Sequence, residues 1–312
     1  MTHLTRRTFL GLTTIGAAGL LAACTANPAH SISPTTPAGT AASGASPAPL
    51  RSDAAFAALE AEYGARLGLF LIDTGSQRTV EYRPDERFAF ASTIKAHQAA
   101  AILQTRDIAA LEEHVTFTAD QIVSYSPITE QHIEDGMLLH EVVTAALQYS
   151  DNTAANLMFD RLGGPSGLQQ LLREIGDATI NVNRIEPDLN EATPGDPRDT
   201  TTPRAHAHTL ATFGVSNHLP IEKRNLLTTW MKANTTGGEL IRAGVPADWV
   251  VADKTGGGYY GTRNDIGILW PPTGAPLVLA VMSSKDAQDA EYSNALIARA
   301  TTQALETLAA GS

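Results

Sequence analysis

Cysteine is almost absent: Cys24 is the only one in 312 residues, so no internal disulfide can staple this chain. The one marked apolar stretch, residues 9–23, is too short and too rich in small residues to form a stable membrane span. Positive charge is also scarce. Twenty-two Lys and Arg face 33 Asp and Glu, for a formal net charge of -11. An acidic surface argues against nucleic acid as a partner and against attraction to anionic lipid, so an anionic substrate would need a local cluster of cations. No glycine-rich phosphate loop and no internal repeat is present. His206-Ala207-His208 is the one histidine pair with metal-like spacing, but no further His or Asp cluster completes a zinc site. It is expected as two solvent-facing histidines at a helix start, with no metal and no cofactor.

What the N-terminus holds is an address. Thr5-Arg6-Arg7-Thr8-Phe9-Leu10 is a twin-arginine pattern running into the apolar stretch, which closes on Leu21-Ala22-Ala23-Cys24. That ending resembles a bacterial lipobox, in which the cysteine is acylated and becomes the new N-terminus. Residues 1–23 are therefore expected to be an export signal and Cys24 a lipid attachment site. The protein would then be exported and held by lipid to the outer face of the cytoplasmic membrane, in part released. Losing Arg6 and Arg7 with the signal takes the net charge from -11 to -13. Residues 25–50, rich in Pro, Ala, Ser, Thr and Gly and without charge, read as a linker spanning on the order of 30 Å. Residues 52–312 remain for one large domain or two lobes sharing an interface.

Within that domain the periodicity is α/β, with strands at the two ends. Ser52 or Asp53 is placed to cap a helix with Phe56, Leu59 and Tyr63 on one face; strands follow over 67–73 and 78–82. Helical spacing fills the middle, near 93–104, 140–148, 152–162, 166–175, 204–213 and 221–233. Strands return near 249–254, 263–270 and 276–283, before a last helix over 289–309. One sheet built from both chain ends, with an all-helical insert, is the simplest arrangement. The lobes are expected at about 52–88 plus 235–312 and at about 89–234.

Four motifs fall in order along this pattern. Ser92-Thr93-Ile94-Lys95 puts a hydroxyl and an amine three residues apart on one helix face, where enclosure beside Lys254 would shift the amine toward a working base. Ser150-Asp151-Asn152 precedes a helix, and all three residue types are also good N-caps. Glu186-Pro187-Asp188-Leu189-Asn190 lies in a long irregular stretch, about 181–202, where Arg184, Asp196, Arg198 and Asp199 alternate in charge. Lys254-Thr255-Gly256-Gly257-Gly258 follows a strand and could equally be a hairpin turn. Each signal is weak alone. Together they supply a nucleophile, a base, a proton relay, an anion anchor and a water-activating carboxylate.

In these motifs, and in Tyr125-Ser126-Pro127, Asn152-Thr153-Ala154-Ala155-Asn156 and Gly261-Thr262-Arg263-Asn264-Asp265, the chain resembles class A serine β-lactamases from about residue 52 onward. The resemblance implies an α/β fold with an antiparallel sheet built from both chain ends and flanked by terminal helices, plus a helical lobe with a long loop. It implies a monomer hydrolysing penicillins and cephalosporins, giving β-lactam resistance. Ser92 would be acylated, with the N–H groups of Ser92 and Gly257 as the oxyanion hole. Lys95 or Glu186 would take its proton, and Ser150 would protonate the leaving nitrogen. Lys254, Thr255, Gly256 and Arg263 would hold the substrate carboxylate, with Asn152 on the side-chain amide and Tyr125 as a wall. Glu186, aided by Asn190, would activate the deacylating water. Asn156, a cis bond at Pro187 and the Arg184 and Asp199 pair would brace the loop.

Ala91 and Gly258 are not cysteines, so the active-site disulfide of some carbapenem-hydrolysing members cannot form, which argues against efficient carbapenem turnover. Ser124 and Tyr259 occupy rim positions. A D,D-peptidase or penicillin-binding protein would share three of the motifs without needing Glu186 and Asn190. A β-lactam sensor would stay acylated, and a tethered scaffold without turnover would have no use for an intact site.

Overall fold

Two sets of alternating apolar residues, from opposite ends of the chain, meet in one sheet. The structure is a computed structural model, and residues 48–311 are described. The signal, Cys24 and nearly all of the linker lie outside the described residues. In chain order the elements are α1 (Asp53–Tyr63), β1 (Arg66–Asp73), β2 (Thr79–Tyr82), β3 (Phe88–Ala89), α2 (Ile94–Thr105), β4 (His114–Val115), β5 (Met137–Leu138), α3 (Leu139–Gln148), α4 (Asn152–Leu162), α5 (Gly164–Glu174), β6 (Thr200–Thr201), α6 (Pro203–Gly214), α7 (Ile221–Lys232), α8 (Ile241–Gly244), β7 (Val250–Gly257), β8 (Arg263–Trp270), β9 (Leu277–Ser284) and α9 (Asn294–Ala310).

The main sheet runs β2-β1-β9-β8-β7, antiparallel throughout, so β1 pairs directly with β9 from Arg66↔Ser284 to Asp73↔Leu277. Strand side chains alternate between faces. On one face Leu67, Leu69 and Leu71 of β1 join Leu277, Leu279 and Val281 of β9 against Phe56 of α1 and Leu296 and Ile297 of α9. On the other face Phe70, Ile72, Val278, Ala280 and Met282 merge with the core of the helical part, which includes Ile94, Phe159 and Phe213. Each such fully buried side chain contributes about 2 kcal/mol of transfer free energy.

The structure adjusts several expectations. The helical part is not all helix: two-residue ladders β3·β6 and β4·β5 lie within it, and β6 closes the long loop back onto β3. Ser52 does not cap α1 with its side chain; its hydroxyl meets Thr307 of α9 at 2.8 Å instead. The last helix begins at Asn294, capped by Ser293, rather than at 289. Lys254-Thr255-Gly256 is not a hairpin turn, because β7 continues through it to Gly257.

Candidate active site

Three elements bring the motifs together. Ser92 sits in the 3-10 turn Ala91–Thr93, which feeds α2, and Ala91 before it adopts φ 47°, a left-handed conformation costly for a residue with a Cβ. Gly256 of β7 backs this turn: a Cβ there would meet Phe90 O at 2.9 Å and Thr93 Cγ2 at 3.1 Å. A glycine is therefore required for strand and turn to approach this closely. Asp151 caps α4 by accepting from Ala154 N (2.8 Å), and its other bonds, from the N–H groups of Ile128 and Thr129 (both 2.9 Å) and the Thr129 hydroxyl, tie the cap to the segment after Tyr125. The capping role and the functional placement of Ser150 and Asn152 are thus one arrangement, with Ser150 at φ 61°.

The polar centre is continuous. Lys95 Nζ, fully buried, donates to Ser92 Oγ (2.8 Å), Ser150 O (2.7 Å) and Asn152 Oδ1 (2.6 Å), and pairs with Glu186 Oε1 at 2.9 Å. Ser92 Oγ in turn donates to Glu186 Oε1 at 3.2 Å. The second carboxylate oxygen of Glu186 accepts from Asn190 Nδ2. Burial lowers the Lys95 pKa, while the Glu186 charge opposes that shift. Lys254 Nζ reaches Ser150 Oγ at 3.1 Å, so one hydroxyl stands between two amines. Burial first, and then the Lys95 charge, push Lys254 well below the ordinary lysine range.

The loop carrying Glu186 is held at both ends. Asn156 of α4 bonds Glu186 twice, Nδ2 to its carbonyl and Oδ1 from its N–H, both at 2.9 Å, and the Glu186-Pro187 bond is cis. Asp199 accepts from the N–H groups of Asn183 (2.8 Å) and Arg184 (3.0 Å) and pairs with Arg184 Nε at 2.5 Å. This pair is not a surface one, since the Asp199 side chain is 1% exposed. Arg198 and Asp196 do pair nearer the surface.

A cleft of about 510 Å³ opens over this centre. Ser92, Ser150 and Asn152 lie at its base, Thr255, Gly256 and Gly257 along one side, Pro187 and Asn190 on another, and Ser124, Tyr125, Tyr259 and Tyr292 at the rim. Arg263 enters from β8, its Nε fixed by Asn294 Oδ1 at 2.7 Å and its guanidinium stacked 4.6 Å from the Tyr292 ring centre. Sequence reading missed Tyr292 and Asn294, which sit in and just after an irregular segment with no motif. It also missed Thr236, whose hydroxyl meets that of Thr255 at 2.5 Å, although the Asn234-Thr235-Thr236-Gly237-Gly238 run marked a turn. His206 contradicts expectation outright: it is fully buried and bonded to Thr93 and His97. His208 alone of the pair is exposed.

A serine sharing a buried amine with a carboxylate, beneath a cleft carrying cations, defines a serine acyl-transfer enzyme whose second carboxylate contact faces the loop. The family described as the beta-lactamase enzyme family matches residues 51–308. The chain is 54% identical over 253 residues to a β-lactamase of Bacillus licheniformis, covering 81% of this chain and 82% of that protein. It is 49% identical over 273 residues to a β-lactamase of Mycobacterium tuberculosis, covering 84% and 89%. A solved class A β-lactamase from Clostridium kluyveri superposes with a TM-score of 0.81 at 42% identity, covering 82% of this chain and 98% of that one. A halotolerant bacterial β-lactamase structure gives 0.80 at 50% identity, covering 81% and 98%. This chain belongs to the β-lactamase enzyme family and has the class A serine β-lactamase fold.

Proposed function

We propose that this β-lactam hydrolase works through an acyl-enzyme on Ser92 that water, activated by Glu186, releases. The supporting observation is the closed triangle of Ser92 Oγ, Lys95 Nζ and Glu186 Oε1, with sides of 2.8, 2.9 and 3.2 Å. Ser92 Oγ attacks the lactam carbonyl, whose oxygen takes charge near the N–H groups of Ser92 and Gly257. The C–N bond breaks, and the nitrogen takes its proton through Ser150, which Lys95 and Lys254 both touch. Lys95 and Glu186 both contact the nucleophile, so either can accept its proton. Only Glu186 has a second oxygen fixed by Asn190. Water then adds to the ester carbonyl and gives a proton to Glu186; the bond from the acyl carbon to Ser92 Oγ breaks, and Oγ takes that proton back from Glu186, 3.2 Å away.

Lys254, Thr255 and Arg263 hold the substrate carboxylate beside Gly256, Asn152 bonds the side-chain amide, and Tyr125 walls the cleft. Asn156, Pro187 and the Arg184 and Asp199 pair keep the loop in place. Penicillins and cephalosporins are the proposed substrates of a monomeric domain over residues 52–312. A hydrolysis assay with a penicillin, a cephalosporin and a carbapenem tests this. Ser92→Ala should form no covalent adduct, and a wild-type protein that stays acylated for hours would make this a sensor or penicillin-binding domain.

Export and anchoring rest on residues 5–24, outside the described residues; among those described, no helix is long and apolar enough to cross a membrane. Cys24, as the sole thiol at a lipobox-like site, is proposed to carry the lipid that holds the protein to the outer face of the cytoplasmic membrane. Cys24→Ala should shift the protein out of the membrane fraction, and an unchanged membrane share would reject the anchor.

A further inference from the structure

We propose that Thr93, His206 and His97 form a positioning chain for the nucleophile turn, set in a single neutral tautomer, and that its integrity governs acylation of Ser92. The proposal rests on Ser92 being the acylated residue. All three side chains are fully buried, on the side of the turn away from the cleft. Thr93 Oγ1 lies 2.6 Å from Phe90 O, 2.7 Å from His206 Nε2, and His206 Nδ1 lies 2.9 Å from His97 Nε2.

Proton counting fixes every direction. The Thr93 hydroxyl has one proton, and the Phe90 carbonyl can only accept, so Thr93 donates there and must accept from His206 Nε2–H. The neutral His206 ring then has a bare Nδ1, which accepts from His97 Nε2–H. His97 Nδ1 is left bare, and it has no partner among the described residues. The chain ends on the carbonyl of Phe90, immediately before Ala91 with its left-handed φ of 47°. Asn264 Nδ2 reaches the same carbonyl at 3.2 Å, so that peptide is gripped from two sides. The gripped peptide sets the direction of the turn that presents Ser92 Oγ to Lys95 and its N–H to the cleft.

The surroundings keep both rings neutral. Asp177, tied to α6 through Thr209 Oγ1 at 2.8 Å, is the acid that bears on His97, and His97 is the ionisable group that bears on His206. On α2, Lys95 turns to Ser92 and Glu186; on α6, Arg204 turns to Glu81 and Asp85; β9 carries no ionisable residue, and Asp265 of β8 belongs to the opposite sheet face from Ile266.

The test separates acylation from deacylation by quenched-flow mass measurement of the Ser92 adduct with a penicillin. Thr93→Val removes only the hydroxyl and should slow acylation about tenfold, with deacylation within about twofold of wild type. Thr93→Ser should restore it. His206→Gln, whose amide can donate from the Nε2 position, should retain most of the acylation rate that His206→Phe loses. Nitrogen-15 spectra of the imidazoles should show Nε2–H on both rings at neutral pH. An unchanged acylation rate in Thr93→Val, equal loss of both rates, or an Nδ1–H signal from either ring would overturn the proposal. A wild-type protein forming no Ser92 adduct would overturn the acyl-enzyme reading beneath it.

Discussion

Replacing Glu186 with Gln should split the two halves of the reaction. Glu186 is 1% exposed, with one oxygen 2.9 Å from Lys95 Nζ and 3.2 Å from Ser92 Oγ and the other held by Asn190. Glutamine keeps the shape and loses the base. General-base catalysis by a positioned carboxylate is worth about 10²- to 10⁴-fold, so a deacylation step of about 100 s⁻¹ would fall to between about 1 and 0.01 s⁻¹. The same change removes the carboxylate that opposes burial at Lys95, so its pKa falls further and the neutral amine becomes more available. Acylation through Lys95 should therefore survive. Mixing Glu186→Gln with a penicillin and recording intact mass should show Ser92 fully modified within seconds, by the mass of the whole drug. Deacylation at the wild-type rate would refute the role given to Glu186. Absence of any adduct would assign it the acylation proton instead.

Arg263→Ala should lower penicillin kcat/KM by about ten- to a hundredfold, the loss of one charged hydrogen bond of about 1.5–3 kcal/mol, read from steady-state kinetics. Asp199→Ala takes the buried one of two carboxylates from the part-buried Arg184, which keeps Glu191, and leaves two loop N–H groups unpaired; it should cost about 3 kcal/mol in urea unfolding. Burial pulls His97 from 6.5 to about 4. The unfolded chain then takes up a proton below pH 6.5 that the fold refuses, so this stability is full above pH 6.5 and is lost as pH falls to about 4. The total is about 3 kcal/mol, and His97→Leu should flatten that part of the stability–pH curve.

The long helices were legible because burial of one face forces a period, and the main strands because burial on both faces leaves short continuous apolar runs between turns. β1, β8 and β9 are apolar on both faces, and their ends came within a residue or two. Ser92, Lys95, Ser150, Asn152, Glu186, Asn190 and Lys254 were legible because each belongs to a local motif whose members lie within four residues. His206 was misread for the opposite reason: its partners, Thr93 and His97, lie more than a hundred residues away, and nothing local distinguishes a buried histidine at a helix start from an exposed one. Tyr292 and Asn294 were invisible on the same ground, since only the closing of α9 against β8 brings them to Arg263. Gly256 looked like a turn because its actual constraint, the nearness of Phe90 and Thr93, is tertiary.

The pairing of β1 with β9 also governs when this enzyme can exist. Arg66 and Ser284 are 218 residues apart, yet they are neighbours in the sheet. While the chain is being made, β1 and β2 are complete early, with β1 apolar on both faces and one of its edges unpaired until β9 arrives. Such an edge templates association with other chains, and pairing over that span is slow. A chain stopped anywhere before Leu277 is therefore not a weak enzyme but a sticky intermediate. Catalytic activity in this architecture reports that synthesis has passed β9, because the strand that joins β1 to β8 follows every motif residue in the chain.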